Sequence, residues 1–312
     1  MATMRAVRQH EFGGPDVLRI EEVPLPEPIA TEIRVRVSAT SVNPVDFKTR
    51  SGQGPLRSLP FTVGWDVAGV VDAVGGGVTR FAVGDEVLGM PWFPRAASAY
   101  AEYVTAPSRQ FVRKPVELSM AEAAALPLAG LTAWQALVDT AHVTSGQRVL
   151  VHAASGGVGH LAVQIAKALG AYVIGTASSV NHAALTELGV DELVDYRSTR
   201  FEDVVHDVDV VLDLVGGETG KRSVDVVHPS GLLVSVPSSS SGEALEMARD
   251  RGIRATGILV EPDQVGLDAL VGLVRDGKLK VVVSDEFPFA DVAKAHEKAE
   301  QGHALGKVVL TV

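Results

Sequence analysis

One stretch constrains the fold more than any other: Arg148-Val-Leu-Val-His-Ala-Ala-Ser-Gly-Gly-Val-Gly-His-Leu-Ala-Val-Gln-Ile-Ala-Lys-Ala-Leu-Gly170. An apolar strand, Arg148 to Ala153, runs straight into a glycine-rich turn. A helix follows from Gly157 to Leu169, with Leu161, Ile165, Ala168 and Leu169 at helical spacing. Strand, turn and helix in that order are the context a dinucleotide-binding fingerprint requires. Gly156 lets the backbone approach a pyrophosphate, Gly159 lets helix and strand pack closely, and the first helical amides face the negative charge. Ser155, Gly156, Gly157 and Val158 are therefore candidate cofactor contacts. Ala154 stands where the usual pattern has its first glycine. The competing reading is a structural turn that binds nothing.

The rest of the chain arranges itself around this unit. From Arg148 onward strands alternate with helices: Tyr172 to Thr176, a helix near His182 to Leu188, Glu192 to Asp195, Val208 to Leu214, Leu232 to Val236 and Thr256 to Val260. That alternation predicts βαβ units and a parallel sheet. Before it lie short Val-, Ile- and Tyr-rich runs (Met4 to Glu11, Val17 to Val23, Glu32 to Ser41, Val67 to Val74, Ala99 to Thr105) broken by Gly and Pro, the texture of a sandwich or barrel. Between the two, Met120 to Ala141 reads as helix, opened by a capping box at Ser119 and Glu122 and interrupted by Pro127 and Gly130. The last fifty residues are mixed, with Val281 to Val283, an amphipathic helix over Asp291 to Gln301 and a strand Lys307 to Val312. The expected class is α/β: a β domain formed by residues 1–124 and 266–312, interrupted by a parallel-sheet domain over 125–265. Ser238 to Ser241 reads as a solvated linker, and His296 and His303 as surface residues.

Composition closes off other functions. Among 312 residues there is no cysteine, which excludes disulfides, thiol nucleophiles and thiolate metal sites. A net charge of −10 disfavours a broad grip on nucleic acid or anionic lipid. No apolar run approaches the ~18 residues of a membrane span, and the N-terminal residues lack a signal-peptide pattern, so a cytoplasmic location is expected. No Gly-x-Ser-x-Gly elbow occurs, which argues against a hydrolase. The strand Ala171 to Ala177 ends in Ser178-Ser179, with no acidic residue to hold a ribose 2′-hydroxyl. NADP(H) is favoured. Ser178, Ser179, His182, Tyr196 and Arg197 can surround a 2′-phosphate, or be ordinary surface residues.

Several motifs together resemble the medium-chain dehydrogenase/reductase superfamily, in its zinc-independent quinone oxidoreductase and enone (alkenal) reductase branch. They are Ser41-Val-Asn43-Pro-Val-Asp46-Phe-Lys48-Thr-Arg50-Ser-Gly52, Gly64-Trp-Asp66-Val-Ala-Gly69, Gly84-Asp-Glu-Val87, Ala123-Ala-Ala-Leu-Pro127-Leu-Ala-Gly-Leu-Thr132, the glycine turn and Gly306-Lys307-Val-Val-Leu310. The resemblance implies a GroES-like β-barrel catalytic domain interrupted by a Rossmann domain, and hydride transfer from NADPH. Zinc-using relatives carry Cys near the position of Asn43 and Gly-His-Glu at Gly64-Trp65-Asp66, so metal-free chemistry is expected. By motif match, Asn43 contacts the nicotinamide ribose or substrate and Asp46 braces the segment. Thr132 and Lys307 lie near the cofactor, Tyr196 flanks the 2′-phosphate, and the backbone at Val215 and Val236 lines the cofactor. His182 stands where relatives often carry Lys.

Many quinone oxidoreductases have Tyr where this chain has Lys48, and the lysine version is closer to enone reductases, where it can bind the nicotinamide ribose hydroxyl or polarise the substrate carbonyl. Lys48 can also be an exposed loop residue or an ion-pair partner of Asp46. Phe47, Trp65, Trp92 and Phe93 are candidate substrate contacts, with core packing an equal reading for the last three. The expected partner is a small quinone or enone, and relatives suggest a homodimer joined near Ala255 to Val260. Two other readings are an NADPH-binding protein with little turnover and an enoyl reductase acting on carrier-bound acyl chains.

Overall fold

The computed structural model describes residues 2–237, 239–302 and 305–312. Ser238 of the expected linker and His303 lie outside the described residues. The chain forms two compact units: Met1–Leu131 with Glu261–Arg275 and Val281–Val312, and Thr132–Val260 with Asp276–Lys280. The divisions fall after Leu131 and Val260, against the expected 124 and 265.

The second unit is built on six parallel strands in the order Glu192–Asp195, Tyr172–Ala177, Arg148–Val151, Val208–Asp213, Val227–Ser235, Arg254–Gly257. Numbered along the chain that is 3-2-1-4-5-6, the doubly wound order whose ligand crevice opens where the direction of winding reverses. The reversal falls between Arg148–Val151 and Val208–Asp213, and the glycine turn emerges there. Val149, Leu150 and Val151 are completely buried, as a strand covered on both faces requires. The following helix, Gly159–Ala168, buries Leu161, Ala162, Ile165 and Ala166.

In the first unit the long strand Glu32–Val42 is the hub. It pairs antiparallel with Val67–Val74, Tyr103–Pro107 and Lys307–Thr311. Alternate residues Ile33, Val35 and Val37 point into a core with Val67, Val71, Val87 and Phe111, the period-two pattern of a half-buried sheet. The C-terminal strand Lys307–Thr311 lies between Glu32–Val42 and the parallel strand Val283–Pro288, and the helix Val292–Gln301 crosses between the last two. Val292, Ala295, Val308 and Leu310 join Val7, Val42, Phe61 and Tyr100 in one apolar cluster.

Three local expectations change. The segment after Asn43 is a helix, Pro44–Arg50, not a loop. The helical run over Met120 to Ala141 is interrupted at Pro127 as expected but continues through Gly130, as Met120–Ala125 and Pro127–Trp134 followed by a wider turn over Gln135–Thr140. Proline has no amide to donate, which accounts for the break at Pro127. Helices Gly242–Asp250 and Gln264–Arg275 stand where none was expected. Among the described residues no helix is long and apolar enough to cross a membrane.

Candidate active site

The second unit offers a cofactor cradle at the carboxyl ends of its strands. At the glycine turn, Ala153 takes a left-handed φ of +48° and its carbonyl accepts the Gly156 amide at 2.9 Å. A Cβ on Gly159 would stand 2.2 Å from that same carbonyl and 2.8 Å from Ala154 Cα, so only glycine lets the helix start this close to the strand. At Gly156 an added Cβ would press on the Ala153 carbonyl at 3.3 Å and meet nothing else within 4 Å among the described residues, which leaves its outer face bare. The His160 amide donates to the Gly156 carbonyl at 3.0 Å and the Ala162 amide to the Val158 carbonyl at 2.9 Å, closing the first turn of the helix.

Two neighbouring loops complete the cradle. Asp213, fully buried at the end of its strand, accepts the amides of Val215 at 3.0 Å and Gly216 at 2.8 Å and the Ser235 hydroxyl at 2.9 Å. Its own carbonyl takes the Val236 amide at 3.0 Å, so one residue places both predicted backbone contacts. Ser178 is buried, and the His182 Nε2 lies 3.2 Å from the Ala177 carbonyl, which ties the ring to the strand end. Tyr196 is half exposed, with the Arg197 guanidinium 5.9 Å from its ring centre. Thr132 is buried at the start of this unit.

Asp195 escaped the sequence reading. Its strand pairs with Tyr172–Ala177, which sets Asp195 opposite Ala177 and brings its carboxylate 3.2 Å from the Ser179 amide. A carboxylate thus borders the region expected to have none. The Arg197 amide, the Ser179 hydrogen bonds and His182 hold it below the usual carboxylate range. The signal was the parallel register, which local spacing after Ser179 does not contain.

The first unit carries a buried polar cluster around Asn43. Asp66, with no exposed surface, accepts the Ser41 hydroxyl at 2.5 Å, Asn43 Nδ2 at 2.7 Å and the Leu128 amide at 2.7 Å. The Lys307 ammonium lies 4.0 Å from Asp66 and donates to the Val42 carbonyl at 3.0 Å and to Asn43 Oδ1. Burial pulls the Lys307 ammonium below its ordinary range, opposed by Asp66 and Asp46. Both ends of the Asn43 amide are therefore engaged inside the protein. The Asn43 backbone amide donates to Asp46 Oδ2 at 2.7 Å, bracing the helix start as expected of Asp46. Burial pushes the Asp46 carboxyl up to about 7, with the Asn43 hydrogen bond pulling the other way.

Lys48 sits in the last turn of the helix Pro44–Arg50, half-buried; its carbonyl accepts the Ser51 hydroxyl at 3.0 Å and the Gln53 amide at 2.7 Å, while its ammonium makes no hydrogen bond or ion pair among the described residues. Pairing with Asp46 is thereby set aside, because Asp46 turns to Asn43 and Tyr100. Phe47 packs on the apolar cluster of Phe61 and Tyr100. Trp65 is completely buried, meets Phe93 edge-on at 5.4 Å and donates to the Arg95 carbonyl at 2.6 Å. It and Phe93, only 7% exposed, are core residues. Trp92 is tied into the sheet by its indole hydrogen bond to the Thr105 carbonyl at 3.0 Å. The expectation of a surface His296 is overturned: the ring is fully buried, because Val292, Ala295 and His296 share the inward face of their helix.

Two family models match: the alcohol dehydrogenase GroES-like domain over residues 29–116 and the zinc-binding dehydrogenase domain over residues 188–310. A Pseudomonas aeruginosa quinone oxidoreductase is 35% identical, covering 96% of this chain and 97% of its own. The structure of the quinone oxidoreductase from Coxiella burnetii superposes with a TM-score of 0.95 at 40% identity over the whole of both chains. The Escherichia coli quinone oxidoreductase complexed with NADPH gives 0.89 at 31% identity, again over both complete chains. The zinc in the second family's description does not fit this donor set. Lys307 already supplies the positive charge beside Asp66 and Asn43, where a divalent cation would be repelled. Among the described residues no three His, Asp or Glu side chains gather to hold a metal. Matching motifs, both domain models and end-to-end similarity agree: the chain belongs to the medium-chain dehydrogenase/reductase superfamily, in its quinone oxidoreductase branch.

Proposed function

We propose that the protein is an NADPH-dependent reductase of conjugated carbonyl acceptors, either quinones or α,β-unsaturated ketones and aldehydes. The observation that carries this reading is the glycine turn at the reversal point of a 3-2-1-4-5-6 sheet, in a chain whose E. coli relative is complexed with NADPH. The bare face of Gly156 and the helix amides suit a pyrophosphate. Ser178, His182, Tyr196 and the Arg197 guanidinium would hold the 2′-phosphate, with Arg197 offsetting the nearby Asp195. Thr132 and the backbone of Val215 and Val236 would border the dinucleotide.

When bound, NADPH supplies a hydride. The chain's own residues do the rest. Lys48 is placed in the reading as the donor to the acceptor's carbonyl oxygen, where negative charge grows as hydride arrives; a donor aimed at developing charge lowers the barrier most. Asn43, held by Asp66 and Lys307, fixes the backbone from which the Lys48 helix springs. For a quinone, hydride and a proton give the hydroquinone. For an enone, hydride goes to the β-carbon and a proton to the α-carbon.

The quinone reading is supported by the relatives' names, and the enone reading by lysine at position 48. Initial rates with 1,4-benzoquinone, 9,10-phenanthrenequinone and small enones, each with NADPH and with NADH, test both. Turnover of neither class would reject the proposal, and equal affinity for the two cofactors would reject the 2′-phosphate site. The strand Arg254–Gly257 ends the six-stranded sheet, and an edge strand offers unpaired backbone groups to a second copy. The homodimer this suggests should sediment at twice the 32.8 kDa of the chain.

A further inference from the structure

Behind the helix that carries Lys48 runs a buried line of side chains that no step above uses. Arg50 Nη1 donates to Glu300 Oε1 at 2.6 Å and to His296 Nδ1 at 3.0 Å, and Arg50 Nε donates to the Gly13 carbonyl at 3.0 Å. His296 Nε2 meets the Tyr100 hydroxyl at 3.2 Å, and that hydroxyl meets Asp46 Oδ2 at 3.3 Å. Glu300 reaches partial exposure; Arg50, His296, Tyr100 and Asp46 are buried.

The chemistry of the groups assigns every proton. A guanidinium can only donate, so His296 Nδ1 accepts and the neutral ring carries its hydrogen on Nε2. Burial first, and Arg50 second, push the imidazole down to about 3, which agrees with a neutral ring. Nε2–H then donates to Tyr100, and the tyrosine hydroxyl is turned to donate to Asp46. The line does not conduct protons to solvent, because Arg50 at its outer end does not give one up. Its effect is directional: it aims one hydroxyl at one carboxylate oxygen. The other oxygen, Asp46 Oδ1, is buried without a partner, so Oδ2 alone anchors the carboxyl. Gly64 makes room for the ring that delivers the bond. Its φ is +98°, and a Cβ there would stand 2.3 Å from Tyr100 Cδ1.

We propose that Tyr100 and His296 are positioning residues: the line from the last helix holds Asp46, and through the Asn43 amide fixes the start of the helix that presents Lys48. This rests on the reductase reading for its catalytic consequence, while its structural claim stands apart from turnover. The charged and titratable groups facing Asp46 are Asp66, Lys307 and Tyr100, and those facing His296 are Arg50 and Tyr100. The ionised carboxylate binds its two donors more strongly, so activity should rise with pH as Asp46 loses its proton. Removing the Tyr100 hydroxyl takes away a stabiliser of the ionised form and should move that limb to higher pH.

The test uses the full-length protein and the variants Tyr100→Phe, His296→Leu and His296→Gln. Glutamine keeps a donor near Nε2; leucine keeps only bulk. Amide hydrogen exchange over residues 43–50 should quicken in Y100F and H296L and return towards wild type in H296Q. With the best acceptor of the panel, kcat should fall about tenfold in Y100F and H296L, the NADPH KM should stay within about twofold, and the acid limb of Y100F should shift upward. Unchanged exchange over residues 43–50 in both Y100F and H296L overturns the proposal whether or not the enzyme turns over. So does a loss of kcat that H296Q fails to restore, or one matched by an equal loss of NADPH binding. A wild type without turnover on any acceptor rejects the reductase reading alone, and exchange then decides the positioning role.

Discussion

Lys48 and Asn43, both candidates for direct contact in the sequence, are engaged differently by the fold. The Asn43 amide is bonded to Asp66 and Lys307, and the residue is 2% exposed. Lys48, one turn further along, keeps an ammonium with no partner among the described residues. If that ammonium meets the developing oxyanion, Lys48→Ala should lower kcat by about a hundredfold, the usual loss of one such donor, while NADPH binding followed by fluorescence changes little. Wild-type turnover with every acceptor would make Lys48 a bystander. Buried titratable groups set a second expectation at this scale. Asp46 is raised to about 7, so its contribution to stability is present below the ordinary carboxylate range and lost as pH climbs through 7. His296 is depressed to about 3 and His152 to about 4, so theirs is present above about 6.5 and lost as pH falls through those values. The contributions oppose one another between about pH 4 and 6.5. Asp46→Asn should therefore be relatively more stable than wild type at pH 8 than at pH 5, and His296→Gln should shift acid unfolding to lower pH. Melting temperatures across pH 3–9 check both, and parallel curves for all three proteins would contradict them.

The glycine turn was legible because its chemistry is local. Each glycine is needed for an atom within a few residues, and Gly159 shows how tightly: an added Cβ would meet three backbone atoms that have no rotamer to yield. Gly159→Ala should thus push helix and strand apart, lower stability by about 1–3 kcal/mol and weaken NADPH binding at least tenfold, measured by thermal unfolding and fluorescence titration. Wild-type values in both would mean that the turn tolerates the shift. The elements that were missed depend on partners far along the chain. The helix Gln264–Arg275 buries Leu267, Leu270, Val271 and Val274 at helical spacing, a pattern present in the sequence but blurred by Gly266, Gly272 and β-branched valines of low helix propensity. The helix Pro44–Arg50 is only seven residues long, and an isolated helix of that length does not hold in water. Asp46 and the packing of Phe47 stabilise it. Asp66 likewise read as one acidic residue in a motif; its role as acceptor for Ser41, Asn43 and Leu128 exists only once the strands are side by side.

The order of the two units along the chain makes the first depend on residues that follow the second. Its sheet is closed by Lys307–Thr311, which pairs with Val42–Ala39 on one side and Val283–Pro288 on the other. A chain ending near residue 265 loses that strand, the helix behind it and the Lys307 ammonium beside Asp66 and Asn43. It also strips Phe289, Val292, Val308 and Leu310 from the cluster that covers Phe61 and Tyr100. At about 1.5–3 kcal/mol for each buried apolar side chain, the loss is on the order of 10 kcal/mol, comparable with the whole stability of a typical domain. The second unit loses far less: residues 276–280, which it holds through the Gln164 side chain, bonded to the Lys280 carbonyl at 2.9 Å and amide at 2.8 Å. Its six strands all lie before residue 258. The truncated chain should therefore unfold unevenly. Limited proteolysis should destroy residues 1–131 quickly and leave a resistant fragment beginning near Thr132. NADPH should still protect that fragment, and turnover should vanish. Survival of the N-terminal third at the rate seen in the full chain would show that the last fifty residues trim the unit and do not close it.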